Sequence, residues 1–461
     1  MKVLIRNNKV ILEGGKVLIR NGGVEPQDKT YSQVNTVVAE YLADVTYSSD
    51  DYSTSQIETY TSQATSYRKD QPFGVDVNVK AGDLVAVDAL GGVLRKTVTA
   101  GAETMYNLAP LSNGADFAVQ ENGNIDDCGH VIPTGALRMI KVGTTLSAGS
   151  PFNVRDIGGW ACDGGTIKYG LIFRGGELNG DSYGVVLTEA DKTVFLEQLD
   201  VRAEIDLRTS SEISGITGSA LGSTVAWEHY AIVPYASGIN VNNNGLQYAP
   251  LLKSIINHVL ANEPCYIHCL LGADRTGTVC AILESLLGIS QSNMDKDYEI
   301  TSFKGEIRKR SNDLYVGFVN YIKTMDGNTW RDKVVNWSQR IGITIDEINA
   351  FRAAMIDGTP ETLNSTVGTV EVSNTLSNAS TDNAVTSTAQ YQPYNATITP
   401  AAGYILNSVI VKMGGVDVTN TTLQTIISGD VSISNANAAA KILIPYVKGA
   451  LSITATAVTG A

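Results

Sequence analysis

The stretch Tyr266-Ile267-His268-Cys269-Leu270-Leu271-Gly272-Ala273-Asp274-Arg275-Thr276-Gly277 places a cysteine six residues before an arginine, with a hydroxyl next to that arginine. The apolar run from Cys265 to Ile267 predicts a buried strand entering a tight loop. Beyond the loop, Val279, Ile282, Leu283, Leu286 and Leu287 recur at helical spacing, and Gly288 predicts the stop. Strand, loop and helix N-terminus in that order make an anion cradle, because loop amides and first-turn N–H groups converge on one point. That field favours a thiolate at Cys269, and a phosphate is the dianion suited to sit above it. Arg275 can hold two phosphate oxygens with its planar fork. A Cys-x5-Arg spacing alone also fits a buried strand cysteine with a surface arginine nearby. His268, Gly272 and Thr276-Gly277 weigh against that blander reading.

Other segments extend the pattern. The loop resembles that of the cysteine-dependent tyrosine phosphatases, and within them the bacterial branch with HCxxGKDRTG loops. Asn153-Val154-Arg155-Asp156-Ile157-Gly158-Gly159 is similar to the NFRDLGG motif of that branch, and Gly170-Leu171-Ile172-Phe173-Arg174-Gly175-Gly176 to its following strand. Ile205-Asp206-Leu207-Arg208 with Glu212 resembles its DLR…E segment. Asp297-Tyr298-Glu299-Ile300-Thr301-Ser302 resembles the helix after the loop, and Gly342-Ile343-Thr344 through Ile356 its last helix. The resemblance covers roughly 150–358.

What the resemblance implies agrees with the residues. Cys269 would attack phosphorus and form a cysteinyl-phosphate that water then hydrolyses. Arg275 and the backbone of Leu270, Leu271, Gly272, Ala273 and Gly277 would bind the equatorial oxygens. Thr276 would hydrogen-bond the sulfur as it leaves. His268 either orients the loop from behind or is simply a satisfied core histidine. The proton donor to the leaving oxygen is Asp274, the family's usual acid, or else Asp206 or Asp156. The last two fit a structural role better, paired with Arg208 and Arg155. The chain departs from the branch at Ala273, where a lysine is usual. Its absence removes a point charge from the pocket mouth, which favours phosphotyrosine or another mono-ester over phosphoinositides.

Composition bounds the rest. A length of 461 residues suggests about three domains at roughly 150 residues each. The formal net charge of −13 argues against nucleic acid or anionic membranes as partners. No stretch approaches the ~20 apolar residues of a membrane span, and the first residues carry too short an apolar run for a Sec signal. Cys128, Cys162, Cys265, Cys269 and Cys280 are dispersed and form neither a disulfide framework nor a zinc spacing, so no metal or cofactor is expected. Cys265 reads as a small strand hydrophobe, with rescue of an oxidised Cys269 as the alternative.

Outside the central region the chain turns β-like. Residues 1–23 repeat a seven-residue unit, Lys2-Val-Leu-Ile-Arg-Asn-Asn and its echoes at Lys9 and Lys16, which predicts three tiny strands for attachment to something larger. Residues 24–73 read as a polar connector, with contact tyrosines as the alternative. Residues 74–147 predict a small β domain, with strict alternation over Val75–Val79. Residues 359–390 read as a Ser/Thr/Asn linker. Residues 391–461 resemble the small Ig-like modules of bacterial surface and phage virion proteins.

The expected architecture is multidomain: a central α/β cysteine-phosphatase domain at 148–358, mostly parallel sheet flanked by helices, between small all-β domains. Two functions follow. One is an active phosphatase acting on a phosphorylated protein or small phosphomonoester, displayed on a virion or surface through its β modules or as a homo-oligomer. The other is an attachment protein whose phosphatase-like domain only binds phosphate.

Overall fold

The computed structural model describes residues 36–61, 139–140, 142, 151–180, 183–419, 439–444 and 446–460, with backbone alone at 36 and 39. It also describes the backbone of short strands within 4–11, 31–33, 74–131 and 425–428. The core of the central region is a five-stranded sheet built from β1 (Arg155–Asp156), β2 (Ile172–Gly175), β3 (Ala203–Asp206), β4 (Ala226–His229) and β5 (Cys265–His268). Its order is β1-β2-β5-β3-β4. The β2–β5, β5–β3 and β3–β4 pairs are parallel and only the β1 edge is antiparallel. This is a mostly parallel α/β core, accompanied by additional β-rich regions. β2, β3 and β5 are buried at every position, which accounts for their continuous rather than alternating apolar character.

Five helices matter below: α1 (Thr36–Asp44), α2 (Ile57–Thr61), α3 (Tyr248–Leu260), α4 (Arg275–Leu287) and α5 (Gln291–Ile300). α3 leads into β5, and α4 leaves the loop that follows it. Every residue of α4 from Thr276 to Leu287 is buried. It ends at Gly288, whose φ of 87° lets its N–H reach the carbonyls of Glu284 and Ser285. One side of the sheet packs Val154, Phe173, Leu178, Phe195, Leu199, Val201 and Tyr266 into a single cluster.

Within the expected connector 24–73, the described residues 31–33 and 36–61 are ordered, the latter partly buried, and the rest lies outside the described residues. The segment holds a strand at Tyr31–Gln33 and helices α1 and α2, and Val38, Tyr41, Val45, Tyr47, Tyr52 and Ile57 are buried. Polar composition concealed this, because the tyrosines bury their rings while their hydroxyls find carboxylates. The linker expected over 359–390 also gives way to strands at Thr369–Ser377, Ala379–Thr381 and Ser387–Ala389. Thr and Val suit a half-buried pleat as readily as a linker.

The C-terminal region is a pair of sheets around an apolar cluster that includes Ile398, Val411, Ile442, Ile444, Ile453 and Ala455. Leu451–Thr459 alternates buried and half-exposed positions for most of its length, pairing parallel to Thr369–Ser377 and antiparallel to Tyr404–Met413. Gly414 and Gly415, both at positive φ, close the two-residue turn between Met413 and Val416. Near the N-terminus, Leu4–Arg6 pairs with Lys9–Ile11, so the first two repeat units pair with each other. The third, at 16–22, lies outside the described residues. Between them and the central region, Leu84–Ala89, Gly92–Thr97, Asp116–Glu121 and Asn124–Val131 form one antiparallel sheet, and Tyr31–Gln33, Gly74–Asn78 and Ala102–Tyr106 another. Among the described residues no helix is long and apolar enough to cross a membrane.

Candidate active site

Cys269 follows β5 directly and Arg275 opens α4, so the loop between them spans a strand's carboxyl end and a helix's N-terminus. Its carbonyls are engaged from behind. Leu270 O accepts from Glu177 N at 3.0 Å, and Asn153 Nδ2 donates to Leu271 O and Gly272 O at 3.1 and 3.2 Å. Arg174 Nη2 adds a bond to Gly272 O at 2.9 Å. With carbonyls drawn outward, the N–H edge of the loop is left for an anion. Gly272 sits at φ 65°, and a Cβ there would come within 2.3 Å of the Gly175 backbone, so only glycine lets the loop press on β2.

Cys269 is 2% exposed. Burial opposes its ionisation, but the Arg275 charge and the hydroxyl and amide of Thr276 outweigh it, and the thiol is held below its ordinary value. Thr276 Oγ1 is buried without a hydrogen-bond partner, near enough to the sulfur to help lower the thiol. Arg275 is itself oriented by Glu212, with Nη1–Oε2 at 2.6 Å and Nη2–Oε1 at 2.9 Å. Glu212 also accepts from the amide and hydroxyl of Thr209. Chiefly through the Arg275 bond, its carboxyl is held down at about 2.

Behind the cysteine lies a buried charged group. Parallel register sets Asp206 opposite His268, and Glu204 shares their face two residues earlier on β3. His268 Nε2 meets Glu204 Oε1 at 3.0 Å. Burial works against the imidazolium, but Asp206 and Glu204 outweigh it and raise the histidine. Ligand atoms of Glu204, Asp206 and His268 lie within 4.8 Å of one another, yet Asp206 is already bound by the Arg208 fork and His268 by Glu204.

The three carboxylates considered as proton donor separate clearly. Asp206 is fully buried with both oxygens on Arg208, at 2.9 Å to Nε and 2.7 Å to Nη2. Burial pushes its carboxyl up, but His268 and Arg208 override this and bring it to about 2. Asp156 is also fully buried, but not paired with Arg155. It accepts from the amides of Gly158 and Gly170, while Arg155 pairs with Asp297. The turn after β1 needs those amides satisfied, and that need claims the carboxylate. Asp274 alone of the three has a part-exposed side chain, at 35%. Arg308 grips it through Nε–Oδ1 at 3.1 Å and Nη2–Oδ2 at 3.2 Å, and Tyr235 donates its hydroxyl to Oδ1.

Sequence reasoning missed Glu204, Arg308 and Tyr235. Glu204 was discoverable from its i, i+2 relation to Asp206 on one strand. Tyr235 sits at φ 58°, a rare conformation for a bulky residue, and its backbone N–H donates to Thr278 Oγ1. Neither it nor Arg308 carries a local signal. Cys265 is buried in β5 four residues before Cys269. That separation is about 13 Å at ~3.3 Å per extended residue, whereas a disulfide needs Cα atoms within about 7 Å. Rescue of Cys269 by Cys265 is therefore excluded by geometry.

A depressed cysteine and an arginine fork, on a loop between a parallel strand and a helix N-terminus, are the marks of a cysteine-dependent phosphatase domain. Residues 146–372 match the model of the tyrosine phosphatase family. No curated protein matches the chain. Among solved structures, the core catalytic domain of the PP-IP phosphatase SIW14 from S. cerevisiae, in complex with citrate, aligns at 19% identity with a TM-score of 0.22. The alignment covers 32% of this chain and 78% of that one.

Proposed function

We propose that this chain hydrolyses phosphomonoesters, with aryl phosphates of the phosphotyrosine type as substrates. The observation that carries the reading is the depressed, buried thiol of Cys269 facing the Arg275 fork. Phosphate binding alone has no need of a nucleophilic sulfur. In the first step Cys269 Sγ forms a bond to phosphorus as the ester P–O bond breaks, and Asp274 delivers a proton to the leaving oxygen. In the second step water attacks phosphorus, Asp274 takes back a proton, and the S–P bond breaks to release phosphate and the thiolate. Arg275 and the loop amides hold the equatorial oxygens through both steps. Thr276 hydrogen-bonds the departing sulfur. Ala273, fully buried, adds no charge at the mouth, which supports a single phosphate over a multiply phosphorylated headgroup.

The β-rich flanks support a setting in which this domain is carried on a virion or cell-surface particle, and co-purification with a particle tests that setting separately. Activity is tested with a phosphotyrosine peptide and an aryl phosphate, comparing the full chain with Cys269→Ser. Vanadate-sensitive turnover, lost by several orders of magnitude in the serine variant, is the expected result. Binding of phosphate analogues without turnover of any ester in a broad panel would return the chain to the attachment reading.

A further inference from the structure

The segment from α1 to α2 is tied to the same helix that supports the site. Asp295 and Glu299 lie four residues apart on α5 and so share a face. Tyr41 and Tyr47 both donate to Glu299 Oε2, at 2.7 and 2.6 Å, and Tyr52 approaches Asp295 Oδ1 at 3.4 Å. Lys296 Nζ reaches Leu42 O at 2.9 Å. At the centre stands Arg310, fully buried. Its Nη2 donates to Ser48 O at 2.6 Å, and its Nη1 to Asp51 O and Thr54 O at 2.8 and 3.3 Å. Its Nε meets Asp295 Oδ2 at 2.8 Å and its backbone N–H meets Glu299 Oε1 at 2.7 Å. The guanidinium stacks over the rings of Tyr47 and Tyr52, 4.4 and 3.9 Å from their centroids.

Two residues before Arg310 is Arg308, whose amide and carbonyl are both held by Ser302 Oγ and whose fork grips Asp274. A second route runs through rings. Tyr315 bonds Asp295 at 2.8 Å and stacks on Tyr298 with centroids 4.2 Å apart. Tyr298 shares a hydrogen bond with Tyr235, which donates to Asp274. The carbonyls of 48–54 are thus the acceptors for both Nη groups of a buried guanidinium, and without them those donors are left unsatisfied, at a cost the loop would relieve by moving.

We propose that residues 47–56 and Arg310 form a positioning latch that sets Asp274, through Arg308, for proton transfer to the leaving group. The inference rests on the phosphatase reading. Neither Arg310 nor the segment touches the reacting atoms. Their effect falls on where the Asp274 proton is delivered, so it grows as the leaving group needs that proton more.

The test compares full-length Arg310→Gln, Arg308→Gln and the double variant on phenyl phosphate, a poor leaving group, and p-nitrophenyl phosphate, a good one. Arg310→Gln should lower kcat for phenyl phosphate by about tenfold or more, in line with the cost of small misplacements, and lower it less for p-nitrophenyl phosphate. The double variant should fall no further than Arg308→Gln alone. Effects that multiply, or an equal loss on both esters, would overturn the latch and leave Arg310 a purely structural residue. Tyr47→Phe, which keeps the ring and deletes one hydroxyl, should show the same leaving-group bias at smaller amplitude. Amide hydrogen exchange over 270–276 provides an activity-independent arm: it should quicken in Arg310→Gln, and unchanged exchange sinks the latch. If wild-type protein turns over neither ester while exchange responds as expected, the phosphatase reading fails and the mechanical coupling stands.

Discussion

The phosphatase core and the C-terminal β region bury different things. The core encloses Arg155, Arg174, Arg208 and Arg310, all with no exposure, together with Asp206, Asp297 and Glu204. The C-terminal cluster contains only Val, Ile, Leu, Ala, Met and Tyr. Burying an ion pair adds little net stability compared with an apolar filling, but it fixes direction as well as distance. Asp297 illustrates this. It joins Arg155 Nε at 2.8 Å and also Arg174, whose other nitrogen holds the Gly272 carbonyl. Burial pushes this aspartate up, yet the two arginines hold it below its ordinary value. The carbonyl orientation of the catalytic loop is thereby traced to a carboxylate on α5. The β region has no such task and is filled by alternation alone.

Breaking the contrast where it is sharpest should cost most. Asp297→Asn leaves two buried guanidinium groups short of a charge partner, and chemical denaturation should show a loss of about 3–5 kcal/mol. A loss near zero would mean that the two arginines find other carboxylates and that the core is less specific than its geometry implies.

Acid offers a gentler probe of the same difference. The carboxyl of Asp206 stands at about 2 in the folded chain against an ordinary 3.8. A depressed folded value means that its contribution is fully present above pH 3.8 and is lost as pH falls toward 2. The shift corresponds to about 2 kcal/mol. Asp206→Asn should flatten that limb of the stability-versus-pH curve, whereas substitutions within the C-terminal cluster should leave its shape unaltered.

The smallest effect belongs to the apolar side. Ile453→Val removes one methylene from a fully buried position and should cost about 1 kcal/mol. Turnover at Cys269 should not change, because no residue of the site belongs to that cluster. A fall in kcat would show that the two regions are not as independent as their interiors suggest.

The legibility of the chain follows the same division. Strand β5, the loop and helix α4 are contiguous, so periodicity, a glycine stop and a cysteine–arginine spacing revealed them together. The alternation of Leu451–Thr459 was readable for the same local reason. Residues 36–61 and 359–390 were misjudged because their composition is polar, and only a partner surface distinguishes a buried tyrosine hydroxyl from a solvated one. The pairing of Asp156 with Arg155 was misjudged because sequence adjacency says nothing about which group claims a carboxylate. Asp297, far along the chain, took the arginine instead.

By itself the sequence determined the cysteine, the arginine, the loop that holds them and the strand–helix frame around it, since all are set by neighbours within a few residues. Only the tertiary structure decided which aspartate stands partly open to solvent and that Glu212 orients Arg275. It alone brought Arg308 and Tyr235 to Asp274 and the tyrosines of the N-terminal segment to α5. Those pairings join residues 34 to 258 positions apart. Their energy depends on burial and direction, which no local pattern encodes.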